Sequence, residues 1–287
     1  MTFGLFIVGQ RGKFLVEQLG AMDKKPSFVL SYPDGKVHDA SFEGIAAWCD
    51  AHAIPFYQLK DHPSIDPLLE RVEKVFVVGW QFLIKSQLTK FVVIHDSYLP
   101  EYKGWAPTVN YLIEGSPYLA ATAFEPTEQM DTGAIYAQKK VEIGYPINIQ
   151  EALAKVSQLY LELVLDVLAG AAKREMTGKE SFCLWRDNDD YTIRWQWNAE
   201  RIRRFVDAVG FPYDGAKIRY EDETVRVVEA AELPDCVIVD REAHVGKILR
   251  LDDGMPVVVC GSGLLRIGKA EKLDGTRMTF KKLKVRL

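Results

Sequence analysis

His95 and Asp131 are the two residues of this chain best suited, by type and surroundings, to proton transfer. His95 follows the apolar run at residues 91–94 and precedes Asp96-Ser97. An imidazole at the end of a buried strand can serve as a general base, because its ordinary pKa lies near neutrality. A carboxylate from a neighbouring turn would orient that ring and stabilise its charged form. Asp131-Thr132-Gly133 supplies one. His38, His52, His62 and His244 lack such flanks and read as ordinary core or surface groups. The cysteines, Cys49, Cys183, Cys236 and Cys260, are far apart and form no CxxC pair. Buried free thiols in a reducing compartment are expected, and no metal site is evident.

The elements around these residues follow from hydrophobic periodicity. Residues 3–8 form an apolar strand ending in Gly9-Gln10-Arg11-Gly12, and a helical pattern follows over 14–22. That glycine-bearing turn can cradle a phosphate at a helix N-terminus. It falls short of a dinucleotide fingerprint, and a plain strand-to-helix turn is the better reading. Further strands are expected at 27–30, 74–78, 91–94, 119–124 and 134–141, with a short extended piece at 55–56. Helices are expected at 42–51, 65–72, 82–88 and 148–169. The alternation predicts an α/β domain over 1–170, a Rossmann-like, doubly wound parallel sheet. Its ligand crevice would lie beyond the strand ends at Gly79-Trp80-Gln81 and His95-Asp96-Ser97. Residues 171–190 are polar and read as a linker. Residues 191–287 hold one helix and then short strands near 216–220, 223–230, 245–250, 256–260 and 263–269, the pattern of a small β-barrel or sandwich.

The stretch over 92–135 resembles the folate-dependent formyltransferases. Their pattern runs Asn-x-His-x-Ser-Leu-Leu-Pro-x-Tyr-Arg-Gly-x-x-Pro, then an apolar helix ending in Gly, then Asp-x-Gly-x-Ile. This chain supplies His95, Ser97, Leu99, Pro100, Tyr102, Gly104, Pro107, Gly115, Asp131, Gly133 and Ile135 at matching spacing. Lys103 stands where Arg is usual, and Tyr98 where Leu is usual. The resemblance extends through Ile193-Arg194-Trp195 and the run from Phe211 to Lys217, which look like the opening of the family's C-terminal domain. It implies an OB-like β-barrel there. It also implies transfer of a formyl group from 10-formyltetrahydrofolate to an amine, with His95 moving the proton and Asp131 setting its orientation and charge.

By the same resemblance, the folate ring would lie between Gly79, Trp80, Gln81, Phe82, Leu83 and Ile84 on one side and the turn from Glu125 to Asp131 on the other. Trp80 is either a stacking wall or a core aromatic. The loop residues Tyr98, Pro100, Tyr102, Lys103, Gly104 and Trp105 would face the acceptor. One departure concerns catalysis. The family's Asn, two residues before the His, is here Val93, whose side chain donates no hydrogen bond. Gln81, Ser97, Asn110 or backbone N–H groups are the candidate replacements.

Two acceptors fit the resemblance. Methionyl-tRNA formyltransferases carry a longer basic segment after the second strand. Here that region reads SYPDGKVHDASFEG, with Lys36 alone. The net charge is −4, and Lys and Arg contacts to phosphate normally supply much of the affinity for nucleic acid. A tRNA partner is therefore the weaker expectation. The variant His-Asp-Ser-Tyr-Leu-Pro, with Gly-Trp at the earlier strand end, is similar to sugar N-formyltransferases, which act on nucleotide-linked amino sugars and are often homodimers. Arg201, Arg203 and Arg204 either face a nucleotide diphosphate or form a solvated helix face. A non-catalytic folate- or sugar-binding relative, with Val93 marking a decayed site, is the contrasting class. No segment is long and apolar enough to span a bilayer, and no cleavable leader is recognisable. A cytoplasmic protein without membrane attachment is expected.

Overall fold

The computed structural model describes residues 1–35, 40–61, 64–82, 84 and 87–287. Among these the chain forms two compact units. One comprises Met1–Thr108, Tyr118–Ile143 and Glu151–Leu184, and the other Val109–Pro117, Gly144–Gln150 and Trp185–Leu287.

The strands of the first unit are β1 (Phe3–Ile7), β2 (Val29–Ser31), β3 (Phe56–Gln58), β4 (Lys74–Val78), β5 (Phe91–His95), β6 (Lys103–Gly104), β7 (Tyr118–Pro126), β8 (Gly133–Glu142) and β9 (Phe182–Cys183). Its helices are α1 (Gly9–Ala21), α2 (Ser41–Ala51) and α3 (Asp66–Leu69). Helices α4 (Pro107–Glu114) and α5 (Ile149–Leu168) each have residues in both units. Seven strands make one sheet in the order β3-β2-β1-β4-β5-β7-β8. From β3 to β5 all neighbours are parallel. Their near-continuous apolar runs, such as KVFVV in β4, reflect burial on both faces. Phe6, Phe28, Leu30, Val75, Val77 and Phe91 form a buried cluster with Leu68, Leu69 and Val72.

Three expectations needed correction. The sheet is mixed, because β7 runs antiparallel to β5 and β8 antiparallel to β7. Apolar periodicity identifies an element but carries no information on strand direction. The helix expected over 65–72 is a single turn, α3. The chain must be extended by Glu73, whose carboxylate accepts the Thr2 N–H at 2.6 Å, in order to enter β4. The helix expected over 82–88 is absent at Phe82, Ile84 and Gln87. Gln87 is left-handed (φ 50°), and only the 3₁₀ turn Leu88–Lys90 follows.

The second unit carries α6 (Ala199–Ala208), capped by Asn198, whose Oδ1 accepts the Arg201 N–H at 2.7 Å. Its strands are β10 (Ala216–Tyr220), β11 (Glu223–Leu233), β12 (Ile248–Asp252), β13 (Met255–Val259) and β14 (Leu264–Lys272). They form one antiparallel sheet in the order β10-β11-β14-β13-β12. Among the described residues no helix is long and apolar enough to cross a membrane.

Candidate active site

The strand order reverses between β1 and β4, and ligands of open α/β sheets bind at such a point beyond the strand ends. Gly79 follows β4 with φ +68°, and a Cβ there would lie 2.7 Å from the Val8 carbonyl oxygen. The turns after β1 and β4 therefore press together. The next strand, β5, ends at His95.

His95 lies opposite Thr122 of β7. Along that strand the β7–β8 turn begins four residues further on, beyond Pro126, roughly 13 Å away if the strand ran straight. Yet Asp131 Oδ2 stands 3.8 Å from His95 Nε2. The hairpin therefore curls back over the sheet, helped by a register shift between Ala123 and Phe124. Left-handed Asp131 (φ 49°) and Gly133 (φ 139°) shape the turn, which the Thr127 N–H closes on the Thr132 carbonyl at 3.0 Å.

His95 is 8% exposed, and its Nε2 lies 3.1 Å from the Tyr102 carbonyl oxygen. A carbonyl only accepts, so Nε2 carries the proton and, in the neutral ring, Nδ1 keeps a lone pair. Asp131 Oδ2 in turn accepts the Gly104 N–H at 2.6 Å. The loop is held from below: the Leu99 N–H donates to Thr122 Oγ1 at 3.1 Å, and Thr122 Oγ1 donates to the Ser97 carbonyl at 2.6 Å. Gln138 Nε2 reaches the Leu99 carbonyl at 2.8 Å.

Asp96 points to the opposite side of the strand end from His95, as β alternation requires. It pairs with Arg11 at 2.9 Å and accepts from Thr108 Oγ1 at 2.5 Å. Burial alone would raise the Asp96 pKa. The Arg11 guanidinium, His95 and the Thr108 hydroxyl outweigh it and hold the carboxyl at about 2. Sequence reasoning left Arg11 in a plain turn and Asp96 as a mere flank. The available signal was an acidic residue at a buried strand end with a single Arg in the turn after β1.

The other expected site residues are placed as follows. Gln81 Nε2 donates to Asp34 at 2.9 Å, Ser97 Oγ to the Glu101 carbonyl at 2.7 Å, and Asn110 Oδ1 accepts from Arg186 at 2.6 Å. Half-buried Trp80 packs on Phe6 and Tyr32, with ring centroids 4.9 and 5.2 Å away, and Ile84 joins the same cluster. Phe82 and Met130 are exposed, so both expected folate walls present apolar surface. Leu83 lies outside the described residues. Glu125 is engaged by Lys74, Lys173 and the Tyr136 hydroxyl. The Tyr98 ring takes the Lys140 ammonium at 4.0 Å, and Pro100 is buried. Lys103 is 2% exposed and bonds Glu180 at 2.6 Å, whereas Trp105 is 40% exposed. A cavity of about 490 Å³ lies between Pro100, Lys103 and Thr132–Ala134 on one side and Glu175, Met176, Gly178 and Glu180 on the other. In the second unit Arg201 pairs with Glu114, Arg203 with Asp207 and Glu232, and Arg204 with Glu200. Among the described residues no cluster of His, Cys, Asp and Glu could hold a metal.

Residues 70–168 match the family model for formyl transferase, and residues 186–285 match that for the formyl transferase C-terminal domain. The chain belongs to the folate-dependent formyltransferase family. It is a formyl-transferring enzyme that uses formyl-tetrahydrofolate. Over 287 aligned residues it is 27% identical to a methionyl-tRNA formyltransferase of Thermodesulfovibrio yellowstonii, covering 93% of this chain and 90% of that one. In fold it is similar to an N-formyltransferase from Helicobacter canadensis, solved with folinic acid and dTDP-3-aminofucose. The TM-score is 0.65 at 12% identity, over 93% of this chain and 98% of that one. It is also similar to HypX from Aquifex aeolicus in complex with tetrahydrofolic acid, with a TM-score of 0.61 at 14% identity. That match covers 95% of this chain, which spans only 44% of HypX.

Proposed function

We propose that this formyltransferase acts on the amine of a nucleotide-linked amino sugar, with His95 and Asp131 at the reacting centre. The observation that carries the acceptor choice is the connection between β2 and α2. It is only residues 32–40, and the sequence of that stretch has a single cation, Lys36, and two acidic residues. A tRNA grip needs several cations there. The arginines of α6 are each paired with a carboxylate of their own unit.

Bound formyl-tetrahydrofolate supplies the formyl carbon. The apolar side chains Trp80, Phe82, Ile84 and Met130 would cover its ring, and main-chain groups of the two turns would read its edge. His95 Nδ1 would accept the proton released as the acceptor amine bonds to the formyl carbon, and pass it on to the folate nitrogen that leaves when its own bond to that carbon breaks. Asp131 stabilises the resulting imidazolium at Nε2 and fixes the ring. The cavity beside Thr132 has the volume of a small-ligand site and would take part of the acceptor. In this reading residues 1–170 form the catalytic domain, 171–190 the connection to the next domain, part of which lies across the site, and 191–287 the OB-like domain of a cytoplasmic homodimer.

The second reading is a methionyl-tRNA acceptor, favoured by the near full-length similarity to the Thermodesulfovibrio protein. Incubation with 10-formyltetrahydrofolate and either a panel of nucleotide-linked amino sugars or charged initiator tRNA separates the two. We expect a formylated sugar. Formylation of tRNA alone would overturn the acceptor assignment, and turnover undiminished in His95→Ala would overturn the role of His95.

A further inference from the structure

The segment over residues 174–183 crosses the site as a strap and is tied to both of its halves. Arg174 exchanges two main-chain hydrogen bonds with Ile135 at 2.8 Å each, just after the Asp131 turn. Eight residues on, β9 pairs with β6 in the loop beside His95. There the Tyr102 N–H donates to Ser181 Oγ at 2.8 Å, and the Lys103 N–H to the Ser181 carbonyl at 2.8 Å. The Trp105 N–H donates to the Cys183 carbonyl at 3.0 Å. Lys103 Nζ is clamped by Glu180. Gly104 must be glycine at this crossing, since a Cβ would meet the Cys183 carbonyl oxygen at 2.3 Å.

These bonds decide which backbone groups remain for the site. Of the four N–H groups from Tyr102 to Trp105, three are consumed by the strap, and that of Gly104 goes to Asp131. A trans peptide is planar, so its C=O and N–H point in opposite directions. The Lys103 N–H and the Tyr102 C=O belong to one peptide unit. With the N–H fixed on Ser181, the carbonyl must face the other way, toward His95 Nε2. Ser181 holds that unit by its carbonyl and the preceding one by its hydroxyl.

We infer that Ser181 is a positioning residue for catalysis: its hydroxyl, accepting the Tyr102 N–H, holds Tyr102 in the left-handed conformation (φ 54°) that turns the Tyr102 carbonyl onto His95 Nε2, fixing His95 in the Nε2–H form and leaving Nδ1 as the base. The inference rests on the His95 role proposed above. Ser181 is on the surface, so its replacement leaves the core untouched.

The test uses full-length protein with ¹⁵N-labelled histidine, the His95 resonances being assigned among the five histidines by their loss in His95→Gln. At alkaline pH, where imidazoles are neutral, the wild type should show the Nε2–H tautomer at His95. Ser181→Ala should mix the tautomers and lower kcat on the order of tenfold, because small misplacements of a catalytic group are costly. Ser181→Thr should restore both. An unchanged His95 spectrum in Ser181→Ala would overturn the inference, and so would a loss of kcat that Thr fails to rescue. If His95→Gln retained full turnover, the role of His95 would fall, while the tautomer measurement would still report on Ser181.

Discussion

The Asp131 carboxylate accepts the main-chain N–H of Gly104 at 2.6 Å, and the same oxygen lies 3.8 Å from His95 Nε2. One oxygen thus serves a structural and an electrostatic purpose, which a single substitution can separate. Asp131→Asn keeps an amide oxygen for Gly104 and removes the charge. The melting temperature should stay within a few degrees while kcat falls about 100-fold or more, the usual scale for lost proton-transfer catalysis. His95→Ala should cost at least as much. Steady-state formyl transfer together with a thermal melt of each variant checks this.

The Arg11–Asp96 pair gives a pH signature. The folded Asp96 value, about 2, lies below the ordinary 3.8. Its stabilisation is therefore complete above the unfolded pKa and is lost as pH falls from about 4 through about 2. The shift corresponds to roughly 2–3 kcal/mol. Asp96→Asn should be less stable than wild type by roughly that amount at pH 7, and the gap should close on acidification. Urea unfolding at a series of pH values reads it, and a gap that persists at pH 2 would refute the assignment.

The order of strands and helices in the first unit was legible because β4 and β5 are short, apolar and rich in β-branched residues, β7 has an apolar run, and α5 has a clean amphipathic repeat. His95 and Asp131 were legible through their spacing and flanks. The curl of the β7–β8 hairpin was not, since it depends on a ladder shift and two left-handed residues that periodicity does not encode. The segment over 171–190 read as a linker because its side chains are polar, while β9 works through its backbone. Main-chain partners such as the Tyr102 carbonyl leave no trace in residue type. The Arg11–Asp96 pair joins positions 85 residues apart, a separation that a local pattern does not reach.

Val93 occupies the family's Asn position, two residues before His95 and on the same face of β5. It is partly exposed and packs against two apolar clusters. Gln81, Ser97 and Asn110 each have a polar side-chain atom bonded elsewhere. Val93→Asn should therefore add a donor where charge develops on the formyl oxygen. One such donor is worth about 100-fold or more in rate. Allowing for imperfect placement, we expect kcat to rise about tenfold, at a small cost in melting temperature from lost packing. An unchanged or reduced kcat in a folded variant would mean that backbone N–H groups already fill the role.

Gly133 offers the sharpest test of the turn that carries Asp131. Its φ is +139°, and a Cβ there would fall 1.8 Å from the Glu125 carbonyl oxygen. No rotamer change relieves a clash with backbone, so the hairpin must open. Gly133→Ala should lose at least about 2 kcal/mol, the range for strain at a special backbone conformation. It should also lose most of its activity, because Asp131 moves with the turn. Gly144→Ala is the matched control. A Cβ there meets nothing within 4 Å, and the change should leave both stability and turnover near wild type. Equal behaviour of the two variants in urea unfolding would show that the turn does not hold Asp131 in the way described.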